Sequence, residues 1–195
     1  MTDKDKQAGG LWRRPSARWA LGIPVGALLA FFAGAIALGS FNWVIHATST
    51  TDFCLTACHS HTLFVKPEYE ASTHFSNRSG VRAECADCHI PKGWFSVVAM
   101  KVAVSGDIIP ELMGKLNTEE KWEAHRGEMA EDVWAQFRAN DSQFCRHCHD
   151  PASMNSEKQS PMAARIHASL EPGGKTCIDC HRGIVHALPQ ATASN

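Results

Sequence analysis

Cys85-Ala86-Asp87-Cys88-His89 contains two cysteines three residues apart, followed directly by a histidine. The same C-x-x-C-H pattern begins again at Cys145 and at Cys177. Thiols at this spacing match the two vinyl groups on one edge of a haem, and the adjacent histidine then lies under the iron as an axial ligand. Three copies of the motif predict covalent haem attachment. The residues concerned are Cys85, Cys88, His89, Cys145, Cys148, His149, Cys177, Cys180 and His181.

The remaining two cysteines form a wider version of the motif, Cys54-Leu-Thr-Ala-Cys58-His59, with three residues between the thiols. In an exported protein such a pair can instead form a disulfide, and clusters of Cys and His can also bind zinc. A histidine directly after the second cysteine of every motif favours haem, so we expect four covalently bound haem c groups. The extra residue leaves the axial ligand of the first haem open between His59 and His61.

The spacing of the motifs indicates an internal duplication. Cys54 and Cys85 are 31 residues apart, and Cys145 and Cys177 are 32 residues apart. We therefore expect two dihaem halves that are joined by residues 91–144.

Three histidines outside the motifs are candidates for the second axial ligand that a low-spin haem needs. His74 precedes the second motif by 11 residues and His167 precedes the fourth by 10, so the two occupy equivalent places in the repeat. His186 follows the last motif histidine by five residues. We expect all three to be distal ligands.

A long apolar run, Trp19–Ile45, contains 27 residues without Asp, Glu, Lys, Arg or His. A bilayer-spanning helix needs about 20 residues, whereas the apolar part of a cleaved signal peptide is only about 7–15 residues long. Five basic residues precede the run, and the first Lys or Arg after it is Lys66. The positive-inside rule then predicts a cytoplasmic N-terminus and an external C-terminal part.

These features predict a mainly α-helical chain with long loops, in which one N-terminal membrane helix precedes a haem-packed multihaem cytochrome c domain. We expect a cytoplasmic tail at 1–18, a transmembrane signal anchor at 19–46, a periplasmic tetrahaem domain at 47–190 and a short tail at 191–195. The protein is expected to cross the bacterial inner membrane once. Its formal net charge of −1 gives no reason to expect a nucleic-acid partner.

Two segments between the halves carry further signals. Thr118–Ala139 is predicted to be a helix with Thr118 at its N-cap, and its apolar stripe is expected to turn His125 inward. Trp94–Asp107 is apolar with few charges, which is typical of a protein core and equally of a segment that lies against a bilayer. Asp107 is either a solvated charge or a carboxylate that accepts a proton beside an apolar pocket.

Several stretches of the chain resemble the NapC/NirT family of membrane-anchored tetrahaem quinol dehydrogenases, and the resemblance covers nearly the whole sequence. The stretches are Gly39-Ser-Phe-Asn42, Thr51-Asp-Phe-Cys54, His74–Cys85, His89-Ile-Pro-Lys92, Arg138-Ala-Asn-Asp-Ser142, Cys145–His149 and Cys177–His186. The resemblance implies oxidation of membrane quinol near the first haem and delivery of the electrons to a periplasmic terminal reductase or its small cytochrome subunit. Nitrate reductase is our first expectation for that reductase, and nitrite reductase is the second.

The resemblance also implies particular site residues. In relatives a lysine just after the second motif and an acidic residue further on line the quinol site, and these map to Lys92 and Asp107. Relatives also support the three distal ligands named above. Several relatives have a methionine two positions after the first motif histidine, and there it ligates the first haem. In this chain that position is His61.

Two other functions are compatible with the same motifs. A catalytic multihaem reductase would act directly on a small nitrogen or sulfur compound, which requires an open haem in a substrate pocket. A passive electron shuttle would carry the haems without a quinol site. The sequence contains no fifth motif, so we expect a protein outside the pentahaem branch that serves trimethylamine N-oxide reductases.

Overall fold

The computed structural model describes residues 19–20, 23–171 and 173–190. The predicted cytoplasmic tail at 1–18 and the predicted C-terminal tail at 191–195 lie outside the described residues. The chain divides into two units, which part between His46 and Ala47. Nearly all of the regular structure described is helical, so the expectation of a mainly α-helical chain is confirmed.

The N-terminal unit contains one long helix, Val25–Ala47 (α1), of 23 residues. At about 1.5 Å per residue it is roughly 34 Å long, which is enough to cross the ~30 Å hydrocarbon core of a bilayer. It contains no Asp, Glu, Lys or Arg, and none of its residues is buried. By length and composition, α1 is the one helix among the described residues that is able to span a membrane.

The apolar run does not become helical at its start. Two-residue strands, Trp19–Ala20 (β1) and Ile23–Pro24 (β2), pair in antiparallel fashion before α1 begins. Pro24 explains the late start, because proline has no backbone N–H and drives the residue before it towards extended geometry. The helical part of the apolar run is therefore shorter than the predicted anchor.

The second unit is built from short helices and loops. Its α-helices are Thr51–Thr56 (α2), Lys66–Ala71 (α3), Cys85–His89 (α4), Trp94–Val104 (α5), Ile108–Leu112 (α6), Glu119–Ala139 (α7), Gln143–Arg146 (α8), Pro161–Ala168 (α9) and Cys177–Cys180 (α10). A π-helical turn, His61–Val65, leads into α3. The 3-10 turns are Ser105–Asp107, Pro151–Ser153 and Ser156–Lys158.

The longest helix of this unit, α7, begins where the sequence predicts. Thr118 is its N-cap, and the Thr118 side chain accepts a hydrogen bond from the backbone N–H of Lys121. The first turn carries two glutamates, which interact favourably with the positive end of the helix dipole. His125 departs from the prediction, because it is exposed and its Nδ1 lies 2.8 Å from the carbonyl oxygen of Lys121. The expected inward orientation of His125 is therefore wrong.

The apolar core of the second unit is small. Among the described residues, the buried apolar side chains are Leu55, Tyr69, Trp122 and Ile178. Trp122 on α7 stacks on Phe64, with ring centroids 5.3 Å apart. The Tyr69 hydroxyl on α3 donates to the carbonyl oxygen of Ala83 at 2.9 Å. These contacts tie α7 and α3 to the segments beside the first two motifs.

Candidate haem-binding site

Short helices present the cysteines of the second and fourth motifs. Both α4 and α10 start at the first cysteine of their motif, so two thiols three residues apart lie on one helix face. In the second motif Asp87 Oδ2 accepts a hydrogen bond from Glu84 N at 3.0 Å. In the fourth, Asp179 Oδ2 accepts from Thr176 N at 2.7 Å. The matched capping gives the two motifs the same local geometry.

Matching hydroxyl contacts join the first motif to the second and the third motif to the fourth. Thr51 Oγ1 accepts a hydrogen bond from Cys85 N at 3.0 Å, and Ser142 Oγ accepts from Ile178 N at 3.3 Å. Each of the two hydroxyl residues stands three positions before the first cysteine of its motif. The repeat in the sequence is thus accompanied by a repeated contact.

All eight cysteines lie in the described residues, and all are free. The thiols of Cys54 and Cys85 hydrogen-bond each other, which raises the pKa of Cys54 and lowers the pKa of Cys85 to about 6. Cys145 and Cys177 form the corresponding pair in the second half, where burial is the main cause that raises the pKa of Cys145 to about 11. The disulfide alternative for Cys54 and Cys58 is not realised.

Three pairs of histidine rings face each other at a nearly constant separation. The ring centroids are 6.2 Å apart for His74 and His149, 6.2 Å for His89 and His186, and 6.0 Å for His167 and His181. A metal–imidazole bond is about 2 Å long and the bonded nitrogen lies roughly 1 Å from the ring centre, so two imidazoles on opposite sides of one iron have centroids ~6 Å apart. Each pair combines a motif histidine with a predicted distal ligand, and each fits a haem iron with two axial imidazoles.

The pairing does not follow the order of the chain. His74 stands just before the second motif but faces the histidine of the third. His186 stands after the fourth motif but faces the histidine of the second. His167 faces the motif that directly follows it. The two halves expected from the spacing thus exchange histidines.

Zinc coordination has no counterpart in the part of the chain that the structure describes. Structural zinc takes four Cys, His or carboxylate ligands in a tetrahedron. No group of three such side chains converges on a metal position in residues 19–20, 23–171 or 173–190. The histidine rings instead lie in pairs, which is the arrangement expected for a haem iron with two axial imidazoles.

Two of the candidate ligands are oriented by a contact at the outer ring nitrogen. His61 Nδ1 lies 2.7 Å from the carbonyl oxygen of Cys54, and His167 Nδ1 lies 2.6 Å from Gln159 Oε1. Metal-binding histidines almost always use their second nitrogen in this way, because the contact fixes the tautomer and turns the other nitrogen to the metal. Both rings are therefore pre-oriented for ligation through Nε2.

A buried ion pair holds the loop that carries His186. Arg126 Nη2 lies 2.6 Å from Glu68 Oε1, and Arg126 Nη1 donates to the carbonyl oxygen of Ala187 at 2.9 Å. Glu68 Oε2 accepts from Ala187 N at 3.1 Å and lies 3.6 Å from His186 Nδ1. Sequence patterns gave no sign of Glu68 or Arg126, because the two are 58 residues apart in the chain.

The surroundings of two rings in this cluster favour the form that binds metal. Desolvation by nearby protein atoms is the main cause that lowers the pKa of His89 to about 4, although His89 keeps an exposed surface. Desolvation also lowers the pKa of His186, which is partly buried. His74 Nδ1 is buried without a hydrogen-bond partner among the described residues. Since a metal ligand must be the neutral imidazole, these surroundings suit iron ligation near neutral pH.

The first motif differs from the other three, because a second histidine follows it closely. His59 is exposed, like His89, His149 and His181, whereas His61 is partly buried. Between them Ser60 is buried, and Glu111 on α6 accepts hydrogen bonds from its backbone N–H at 2.9 Å and from its hydroxyl at 2.8 Å. Burial opposes ionisation of Glu111, yet the hydrogen bonds, chiefly from Ser60, outweigh it and hold the pKa of the carboxyl below its ordinary value. A carboxylate from α6 thus fixes Ser60, the residue between the two candidate ligands of the first haem.

The two residues implied as the quinol site have different surroundings. Lys92 Nζ lies 3.4 Å from Asp87 Oδ1, and 57% of the Lys92 side chain is exposed. Asp107 is exposed at the end of the 3-10 turn between α5 and α6. It stands four positions before Glu111, so one helical turn separates the two carboxylates.

Lys101 on α5 is a basic residue that no sequence pattern singled out. Its Nζ donates to the carbonyl oxygen of Thr48 at 2.6 Å, and its charge lowers the pKa of the Cys54 thiol against the other influences there. Lys101 therefore lies close to the first haem motif. Its place became visible only in the fold, because the contact joins residues 53 positions apart.

The chain matches the family described as "NapC/NirT cytochrome c family, N-terminal region" over residues 15–191. It is 43% identical over 196 residues to the denitrification system component NirT of Stutzerimonas stutzeri, a match that covers 97% of this chain and 96% of that protein. It is 40% identical over 178 residues to the cytochrome c-type protein NapC of Escherichia coli strain K12, covering 91% and 87%. No solved structure matches the chain significantly.

A longer relative also matches. The chain is 47% identical over 167 residues to the cytochrome c-type protein TorY of Haemophilus influenzae, covering 85% of this chain. The match spans 45% of that protein, so this chain corresponds to about half of the longer relative. The expectation that the protein stands outside the pentahaem branch stays a prediction.

The paired histidines, the thiol motifs and these matches define a cytochrome c, a protein that transports electrons on covalently bound haem. The chain belongs to the NapC/NirT cytochrome c family, which confirms the resemblance inferred from its motifs. Helix α1 fits the membrane anchor of such a protein.

Proposed function

We propose that this protein oxidises membrane quinol and passes the electrons through four haem c groups to a periplasmic terminal reductase. The observation that carries the proposal is that the histidines of motifs two, three and four each face a second histidine. An iron held by two protein imidazoles has no position left for a substrate, so these centres suit relay rather than substrate reduction. When bound, haem supplies the one-electron redox chemistry of iron.

In this proposal the eight motif cysteines hold four haems through thioether bonds. The axial pairs are His89 with His186, His149 with His74, and His181 with His167. The small core supports haem packing, because four buried apolar side chains are few for a unit of this length and large apolar cofactors would complete the interior. The repeated contacts of Thr51 and Ser142 support two dihaem halves, which interlock through the exchanged ligands.

For the first motif we propose His61 rather than His59 as an axial ligand. The contact between His61 Nδ1 and the Cys54 carbonyl fixes the ring of His61 and leaves its Nε2 for iron. The two hydrogen bonds that Ser60 donates to Glu111 hold the turn that separates the two histidines. His61 also stands where relatives carry a methionine ligand.

We propose that quinol is oxidised beside this first motif, where Asp107 accepts a proton from the quinol. Quinol stays in the bilayer, and α1 ends at Ala47, only seven positions before Cys54. Glu111 accepts a hydrogen bond from Ser60, directly after the first motif, and Asp107 stands one helical turn before Glu111. Oxidation to quinone releases two electrons and two protons, so an acceptor carboxylate is needed close by.

A lysine is proposed to hydrogen-bond the quinol oxygen. The family resemblance points to Lys92, but its ammonium group is paired with Asp87. Lys101 is better placed, because its ammonium group already reaches the residues that lead into the first motif. Both lysines are therefore candidates, and variants of each separate them.

The proposed setting is the bacterial inner membrane, with residues 1–18 in the cytoplasm, 19–46 as the anchor and 47–190 in the periplasm. The basic residues before the span support this orientation. The electron acceptor is proposed to be nitrate reductase or its small cytochrome subunit, with nitrite reductase second. The relatives called NapC and denitrification system component NirT support an acceptor of this kind.

The test is anaerobic reduction of the purified full-length protein by a soluble quinol analogue, followed by visible spectroscopy. We expect the quinol to reduce the haems and added periplasmic nitrate reductase with nitrate to reoxidise them. Dithionite is the control for redox-active haem. Reduction by dithionite but not by quinol would identify a passive shuttle, and direct turnover of nitrite, hydroxylamine or sulfite would identify a catalytic reductase.

A further inference from the structure

The polarity of one surface segment is inverted. The segment runs from Trp94 to Met113, is described throughout, and is called the α5–α6 segment below. Most of its large apolar side chains are exposed, whereas Val97, Val98 and Met100 are half-buried. The exposed fractions are 83% for Phe95, 68% for Val102, 62% for Ile109, 81% for Leu112 and 67% for Met113.

Two of the three charged side chains of this segment turn towards the protein instead. Lys101 is partly buried and donates to the carbonyl oxygen of Thr48 at 2.6 Å. Glu111 is partly buried and accepts two hydrogen bonds from Ser60. Asp107 is the one charged residue of the α5–α6 segment that is exposed.

A helix that faces water shows the opposite pattern, with apolar residues packed and charged residues outside. On α5, Phe95, Ala99 and Val102 recur at positions i, i+4 and i+7, so they share one face, and all three are exposed. Lys101 occupies a different face, so this apolar stripe does not point at the residues that Lys101 contacts. An exposed apolar stripe of this extent marks a surface that another apolar phase covers.

We propose that the α5–α6 segment lies in the bilayer interface and forms a second membrane contact in addition to α1. The chain itself supplies the argument, because Thr48 directly follows Ala47, the last residue of α1. If α1 spans the membrane, Thr48 stands at the bilayer surface. The 2.6 Å contact between Lys101 Nζ and the Thr48 carbonyl then holds α5 at the same level.

Lipid fits this surface better than a protein partner does. The stripe has no exposed charge on α5 to pair with a partner, and it begins with Phe95, whose ring contacts the ring of Trp94 at a centroid distance of 4.9 Å. Aromatic and aliphatic side chains on one face of a helix are typical of interfacial membrane segments. The inference goes beyond quinol oxidation, because it concerns where the domain rests and not what it oxidises.

The experiment uses the full-length protein with Phe95→p-benzoylphenylalanine, reconstituted in vesicles of phosphatidylcholine and phosphatidylglycerol. After irradiation, peptide mass spectrometry identifies what the probe has captured. The matched control is Met162→p-benzoylphenylalanine on α9, because 66% of Met162 is exposed and it lies outside the inverted segment. We expect roughly tenfold more lipid adduct at position 95 than at position 162, since an interfacial helix buries its apolar face among acyl chains.

Two results would overturn the proposal. Equal lipid adduct at the two positions would show that the segment faces water. A chain-to-chain adduct at position 95 would show that a second copy covers the stripe. If the Phe95 variant loses its haem spectrum, a second experiment takes its place. The unmodified protein is reconstituted in vesicles that contain a photoactivatable lipid, and the adducts are again expected within residues 94–113.

The same vesicles separate this inference from the proposed function. Lipid adducts at position 95 together with no haem reduction by quinol would refute quinol oxidation and leave the membrane contact standing. Haem reduction by quinol together with no lipid adduct would refute the membrane contact and support quinol oxidation. In vesicles with the photoactivatable lipid, Val102→Glu is expected to lower the amount of lipid adduct within residues 94–113 severalfold. Met162→Glu is expected to leave that amount unchanged.

Discussion

The ring of His74 faces the ring of His149 with their centroids 6.2 Å apart, although the whole second haem motif lies between them in the chain. The distal histidine for the third motif thus comes from the first half of the repeat. In return, His186 from the second half faces His89 in the first. Neither half contains a complete set of ligands for its own haems, so the halves are expected to fold as one unit.

Replacing His74 with Ala tests this exchange of ligands. We expect one haem to change from low spin to high spin, because its iron loses an axial imidazole. Electron paramagnetic resonance measures the change, and the affected haem should be the one bound through Cys145 and Cys148. His147→Ala is the matched control, because His147 is exposed and belongs to none of the three ring pairs. Unchanged spectra in His74→Ala would remove His74 from the ligand set.

The ligand of the first haem is tested by His61→Ala beside His59→Ala. His61 is oriented by the Cys54 carbonyl, so we expect its loss to alter the visible and paramagnetic spectra of one haem. His59 is not a ligand in this proposal, so its loss should leave the spin state unchanged. Glu111→Gln keeps the size of the side chain but weakens its hydrogen bonds with Ser60, so it should shift the spectrum of the same haem. The reverse ranking of the two histidines would make His59 the ligand.

Glu68→Ala is expected to destabilise the haem unit by about 2 kcal/mol, because it removes one of the two carboxylates paired with the buried Arg126, the other being Glu123, and an acceptor for Ala187. The measurement is the urea midpoint followed by circular dichroism in detergent. Lys66→Ala is the control, since its ion pair with Glu70 is exposed and should contribute less than ~0.5 kcal/mol. Equal midpoints for the two variants would show that the Arg126 cluster contributes nothing special.

Asp107→Asn keeps the shape of the side chain but removes the base. Quinol oxidation should slow by about 10²-fold, the lower end for general base catalysis. Reduction by dithionite needs no proton acceptor and should be unaffected. Lys92→Ala and Lys101→Ala are measured alongside, and we expect Lys101→Ala to raise the apparent KM for quinol more than Lys92→Ala does. Parent rates in Asp107→Asn would place the proton acceptor elsewhere.

The number of haems is tested by the intact mass of the purified protein. Four thiol pairs predict a mass increment equal to four haem groups. If the widened first motif attaches haem through both thiols, we expect Cys58→Ser to prevent attachment at this motif. The haem content should then fall by one. An increment of three in the parent protein would show that the first motif carries no haem.

Features that depend only on neighbouring residues could be predicted before the fold was known. Haem attachment needs two thiols and a histidine within five or six positions, so the motifs from Cys54 to His181 could be identified without a fold. An apolar run and an N-cap are equally local, and α1 and the start of α7 at Thr118 were found in this way, apart from the late start that Pro24 imposes. Family membership rested on the same short stretches.

Contacts between distant groups became visible only in the folded chain. The spacing of the repeat proposed His74, His167 and His186 as ligands but could not pair them with motifs, because a ring pair is made by packing across the chain. Contacts such as Glu111 with Ser60 and Lys101 with Thr48 join residues about fifty positions apart, where no periodicity connects the partners. The same packing turned the charged side chains of α5 and α6 inward, since a hydrogen-bonded charge and its helix face are set by what the helix packs against and not by its own sequence.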